Sequence, residues 1–151
     1  MSSTLKLTAL DVEDLAVISA CLQDSLVRVA DTAFESKRRR FALLCNRFRW
    51  ENEAKTSLGG WSGPRQPERV RAMVHFDGVK NVRTRHLDRS DPSLVLSLMT
   101  IDAGEHSDGS VDIRLIFAGG PEVLLEAECI DCYLEDISQP WPASGRPEHE
   151  D

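Results

Sequence analysis

Long apolar runs are missing from this sequence: no unbroken hydrophobic stretch exceeds a few residues. A membrane-spanning helix needs about 20, so none is expected. The opening MSSTLKLTAL has no basic start followed by an apolar stretch, so no secretory signal is read. Neither Gly-x-x-x-x-Gly-Lys-Ser/Thr nor Gly-x-Gly-x-x-Gly occurs, which excludes phosphate-cradling loops of those kinds. A Gly-x-Ser-x-Gly nucleophile elbow is absent as well. Cysteine is sparse, with only Cys21, Cys45, Cys129 and Cys132. Only Cys129 and Cys132 have metal-like spacing. A structural zinc site needs four ligands; there is no second pair, and His75, His86, His106 and His149 are scattered. No metal and no cofactor is expected. Positive charge is nearly lacking from the C-terminal part, where residues 90–151 hold two bases against 14 acids.

What remains is an ordinary globular composition: 151 residues, 41% hydrophobic and 28% charged, the size of one domain. Without a secretory signal, the four cysteines read as reduced thiols of a cytosolic protein. The net charge of -7 is unevenly spread. Residues 1–27 carry one base and four acids, whereas residues 28–89 carry 15 bases and seven acids. Basic middle strands pairing with acidic C-terminal ones across a sheet explain such a layout. The sharper alternative is a basic face for an anionic partner.

Along the chain, residues 5–10 read as a strand, and Asp11 then caps a helix that ends near Asp24. Glu13 and Asp14 favour the positive end of its dipole, and Leu15, Ile18 and Leu22 share one face. Strands are expected over 26–35 and 40–48. Residues 50–67 contain three Gly, two Pro and no periodic apolar set, which reads as a long functional loop carrying Trp50 and Trp61. Alternation then marks strands at 69–76, 79–87, 111–117 and 122–128, with turns at Asp77-Gly78 and Gly119-Gly120. Residues 94–101 are apolar on both faces, the mark of a strand covered on both sides. A second helix is expected over about 129–137, with Ile130, Tyr133, Leu134 and Ile137 inward, and then a frayed tail at 138–151. The domain reading is one α+β domain over 1–137: a curved antiparallel sheet or half-open barrel packed by two helices. A pleckstrin-homology-like roll, closed by its terminal helix, is one concrete form.

Few residues point to chemistry. Acidic neighbours of Cys129 and Cys132 disfavour a reactive thiolate. Glu105, His106 and Asp108 sit together in a polar turn, where a solvated loop is the plain reading. The Arg-rich strands are more suggestive. Arg69, Arg71, Arg83 and Arg85 can fork to phosphate or carboxylate, and Trp50 and Trp61 are interface-type anchors. An acidic chain is opposite to the usual nucleic-acid footprint.

The segments LTALDVEDLAVISACLQDSLVRV, RRRFALLCNRFRWE, VHFDGVKNV and FAGGPEVLLEAECIDCYLEDI resemble a family of short proteins of unknown function found mainly in alphaproteobacteria. The likeness covers about residues 5–141. It implies a cytosolic bacterial single-domain protein and transfers no catalytic residue. The leading expectation is a cytoplasmic, non-enzymatic binding or adaptor domain with a protein partner, engaged through Arg69, Arg71, Arg83, Arg85, Trp50 and Trp61. The alternatives are a small-ligand binder or small enzyme with a pocket under the 50–67 loop, and nucleic-acid binding by the arginine strands.

Overall fold

The Asp11 carboxylate accepts the Asp14 backbone N–H at 2.8 Å, satisfying one free donor of the first helical turn. The helix that follows, α1 (Val12–Leu22), buries Leu15, Ile18 and Leu22. Asp24 takes φ +65° directly after it, a left-handed residue that turns the chain back toward the sheet. The computed structural model describes residues 4–51 and 67–143. Around α1 these residues form eleven strands: β1 (Lys6–Ala9), β2 (Leu26–Arg28), β3 (Thr32–Glu35), β4 (Arg40–Phe48), β5 (Glu68–Asp77), β6 (Val79–Arg85), β7 (Val95–Glu105), β8 (Val111–Phe117), β9 (Glu122–Ala127), β10 (Cys132–Asp136) and β11 (Trp141–Pro142).

The pairings are antiparallel and follow the path β1-β10-β5-β4-β2-β7-β8-β9-β6, with β3 added to β4 and β11 to β5. The sheet is curved and not closed. One face of each long strand supplies the core: Phe41, Leu43 and Cys45 from β4, Val74 and Phe76 from β5, Ile113 and Leu115 from β8, Leu125 from β9. α1 packs mainly on β7. There the Ser19 hydroxyl accepts the Ile101 N–H at 2.9 Å.

Several expectations are corrected. Cys132–Asp136 is a strand between β1 and β5, so the described residues contain one α-helix, and the terminal helix of a pleckstrin-homology-like roll is not formed there. Ile130, Leu134 and Ile137 fit helical spacing. Ile130, Cys132, Leu134 and Asp136 fit strand spacing equally well, and only the second set is buried. The free edges of β1 and β5 decide between the two. Ile137 consequently stands half exposed rather than in the core, and Leu94 is only partly buried. β7 is covered on one face, not both: Leu96, Leu98 and Ile101 point inward while Val95 and Met99 are half exposed. A register shift between Leu98 and Thr100 swaps the faces, which is why the strand reads as apolar throughout.

Residues 26–35 form two strands separated by a short 3-10 turn at Val29–Asp31. Asp77-Gly78 is a corner rather than a hairpin. Gly78 has φ +75°, and β6 leaves it to pair with β9 at the far end of the path. The Val79 N–H to the Arg39 carbonyl (2.8 Å) and the Glu128 N–H to the Gly78 carbonyl (2.9 Å) hold that corner. The frayed tail does not begin at Ser138, because Trp141 and Pro142 pair with Arg69 and Glu68, and the Ala143 N–H donates to the Pro67 carbonyl. Most of the expected 50–67 loop, with Trp61, and the end of the tail lie outside the described residues.

Candidate functional site

The four arginines of interest are placed on two separate parts of the sheet. Arg83 and Arg85 project outward from β6 toward acidic β9. Arg83 Nε lies 2.7 Å from Glu126, and Arg85 Nη1 lies 3.6 Å from Glu122. On β5, Arg71 meets Asn46 Oδ1 at 3.1 Å and Asp31 at 3.2 Å. Arg69 donates to the backbone carbonyls of Asp24 and Asn46 and lies over the Phe48 ring. Trp50 joins that second group: its indole N–H donates to the Gln23 carbonyl at 2.8 Å and its ring lies 4.6 Å from Phe48. Arg69, Arg71 and Trp50 therefore converge around Asn46 and Phe48, apart from Arg83 and Arg85, and each has a partner within the chain.

Arg47, one of the arginines of the basic middle strands, is fully buried. Both Asp136 oxygens accept from it at 2.7 and 2.8 Å, and both Glu51 oxygens accept at 3.0 and 2.6 Å. Burial alone would lower the guanidinium pKa; the hydrogen bonds it donates to Asp136 and Glu51 outweigh it and raise the value. Burial likewise pushes Glu51 up, and the Arg47 hydrogen bonds more than reverse this, holding its carboxyl below the ordinary range. Two forked pairs use most of the five guanidinium donors. The cluster is thus a latch between β4, β10 and Glu51. Strand parity carried the signal: Arg47 follows Phe41, Leu43 and Cys45 on the inward face.

The cysteine pair is split between environments, with Cys129 exposed and Cys132 buried. Burial first, then Asp131 and Asp77, pushes the Cys132 thiol up, away from thiolate chemistry. The Cys45 thiol is pushed up to about 11, chiefly by burial. His106 pairs with Asp112 at 3.0 Å in an exposed turn, while the Asp108 carboxylate accepts from Ser110 N–H and hydroxyl. No group of three or more His, Cys, Asp or Glu among the described residues is placed to hold a metal.

The feature that can take a ligand lies where the curved sheet fails to close. The start of β4 (Phe41, Leu43) and β3 (Phe34) form one wall. The opposite wall is Val82 and Thr84 of β6, Leu115 and Phe117 of β8, and Val123 of β9. Val29, Leu87 and Leu96 complete a cavity of about 150 Å³. Alternation along β6 builds this wall, since Val82 and Thr84 face in where Arg83 and Arg85 face out. Thr32 and Arg89 are the remaining polar lining residues, and the Thr32 hydroxyl is spent on the Val29 carbonyl at 2.8 Å. The expected pocket under residues 50–67 lies outside the described residues. Phe34 and Leu87, apolar residues beside polar turns, are the signal of this cavity in the sequence.

Fold and site together define an α+β protein with an open, curved antiparallel sheet and an apolar mouth. The chain belongs to the DUF2948 family, proteins of unknown function, whose model matches residues 5–149. No curated protein and no solved structure matches the chain. No helix among the described residues is long and apolar enough to cross a membrane.

Proposed function

We propose that this is a cytosolic binding protein that captures a small apolar group in the mouth of its sheet. The carrying observation is the cavity between β3–β4 and β6–β8–β9, lined almost entirely by apolar side chains. Apolar walls of this kind favour an apolar guest, because its surface and theirs leave water together. Volumes near this size accept a benzene-sized guest, and they lie below the roughly 300–1,000 Å³ of drug-type pockets. The site therefore takes one ring, or a chain of about six carbons. At about 0.8 kcal/mol per buried methylene, burying such a guest gains about 5 kcal/mol before the cost of immobilising it is subtracted, so binding is weak.

Methyl NMR during titration with neutral benzene tests this reading. Leu43, Leu96, Leu115 and Val123 should shift and saturate, with Val74 and Leu134 unmoved, and Val82→Trp should abolish the response by filling the space. A wild-type spectrum that stays unchanged to the solubility limit of benzene overturns it. A protein-partner reading has its own support in Val17, Leu26, Val95 and Met99, apolar side chains exposed on α1, β2 and β7. Nucleic-acid binding has less, because the β6 arginines already face Glu122 and Glu126.

A further inference from the structure

We infer that the natural guest is a small monocarboxylate, its tail of one ring or about six carbons in the cavity and its head group at Arg89 and Thr84. This rests on the small-ligand reading and adds the chemistry of the head. Arg89 is the sole ionisable residue lining the cavity, and no carboxylate lines it. Its two acidic neighbours each spend one carboxylate oxygen on a nearby serine, and neither is within ion-pair distance of it. Asp88 accepts from the Ser90 N–H and hydroxyl, and Asp91 accepts from the Ser93 N–H and hydroxyl. Arg28, beside Val29 of the same wall, is paired with Asp31 at 3.2 Å. Among the described residues Arg89 has no ion pair and no hydrogen bond, unlike Arg83 and Arg85 on the outer face. Thr84, opposite Val123 across the β6–β9 pair, lines the same space and carries the hydroxyl assigned here to the head group.

A fork of donors beside an apolar slot is the arrangement that orients an amphiphile, with the apolar body supplying affinity and a few polar groups supplying direction. One guanidinium and one hydroxyl suit a single negative charge. A cationic head would be repelled by the guanidinium, and a neutral head would forgo the attraction between opposite charges. In a chain of net charge -7, an arginine without an ion pair among the described residues at an apolar mouth favours an anion.

Hexanoate, 1-hexanol and hexylamine, titrated into the whole protein by methyl NMR at low and at physiological salt, test the head group. Hexanoate should bind about fivefold tighter than hexanol, the scale of one solvent-accessible ion pair, and the advantage should shrink with salt. Hexylamine should bind weakest. Arg89→Gln should bring hexanoate down to the level of hexanol, costing hexanoate more than it costs hexanol, and Thr84→Val should cost hexanoate more than hexanol. Arg89 is exposed, so the first variant leaves the fold intact. Equal wild-type affinities for hexanoate and hexanol would overturn the head-group assignment and leave apolar capture standing. Failure of all three probes would overturn both.

Discussion

At the scale of single residues, the inward-facing Arg47 has the largest energetic consequence. A buried ion pair is weak evidence for stability, because desolvation of both partners offsets most of their attraction; breaking such a pair from one side is costly. Asp136 is itself nearly buried and holds Arg47 through two oxygens, while Glu51 is more open to solvent. Asp136→Asn should therefore destabilise the protein by about 3–5 kcal/mol in a urea titration, since it leaves a buried guanidinium short of its counter-charge. Arg47→Met together with Asp136→Leu should recover most of that loss, because an apolar pair of similar volume needs no compensation. A double variant as unstable as the single one would show that the latch contributes more than charge balance. Sequence alone made Arg47 visible as a basic residue in a basic stretch. Its inward position follows from strand parity, but its partner 89 positions away depends on where β10 is inserted.

At the scale of elements, β10 shows why local pattern can leave two answers. Its apolar residues satisfy periods of 2 and 3.6 at once, and a segment this short has too few turns to separate them. Tertiary pairing with β5 and β1 decides. The same ambiguity did not arise at α1, where a capping aspartate and two acidic first-turn residues mark the start, nor at β8–β9, where Gly119-Gly120 lies between two clean alternations. The strand assignment separates two substitutions. Leu134 is fully buried between Val74 and Leu7, whereas Ile137 lies beyond the strand and is half exposed. Leu134→Ala should cost about 2–5 kcal/mol and Ile137→Ala within about 0.5 kcal/mol by equilibrium denaturation. On a helix these residues, three apart, would share a face and cost alike; comparable losses would contradict the strand.

At the scale of the whole molecule, the charge that is segregated along the chain is interleaved in space. Asp136 of β10 holds Arg47 of β4, Glu135 of β10 meets Lys6 of β1, and basic β6 lies against β9, with Glu122 and Glu126. Arg39 reaches Glu128 across the Gly78 corner, and Arg40 meets Asp77 at 2.7 Å. That opposite charges would meet across the sheet was readable from regional totals. Which acid meets which base was not, because β6 joins β9 at the far end of the path rather than folding back on β5. Pairing of this kind does little for stability. Arg83 and Arg85 remain mostly exposed, and such pairs contribute about 0–1 kcal/mol each. Its larger effect is on recognition. A nucleic-acid interface releases condensed counterions with a log–log salt slope of about -0.9 per duplex phosphate and about -0.7 per single-strand phosphate. Four free arginines would lose more than tenfold in affinity between about 50 and 200 mM salt. Here each arginine of β5 and β6 has a partner in the chain and the net charge is -7, so no such release is expected. Fluorescence anisotropy with short DNA and RNA at about 50 mM salt should show no saturable binding in the micromolar range. Micromolar binding that is steeply salt-dependent and abolished by Arg83→Ala with Arg85→Ala would mean that the β9 carboxylates yield those arginines to phosphate, and that the interleaved charge is a reserve for an anionic partner rather than its own completion.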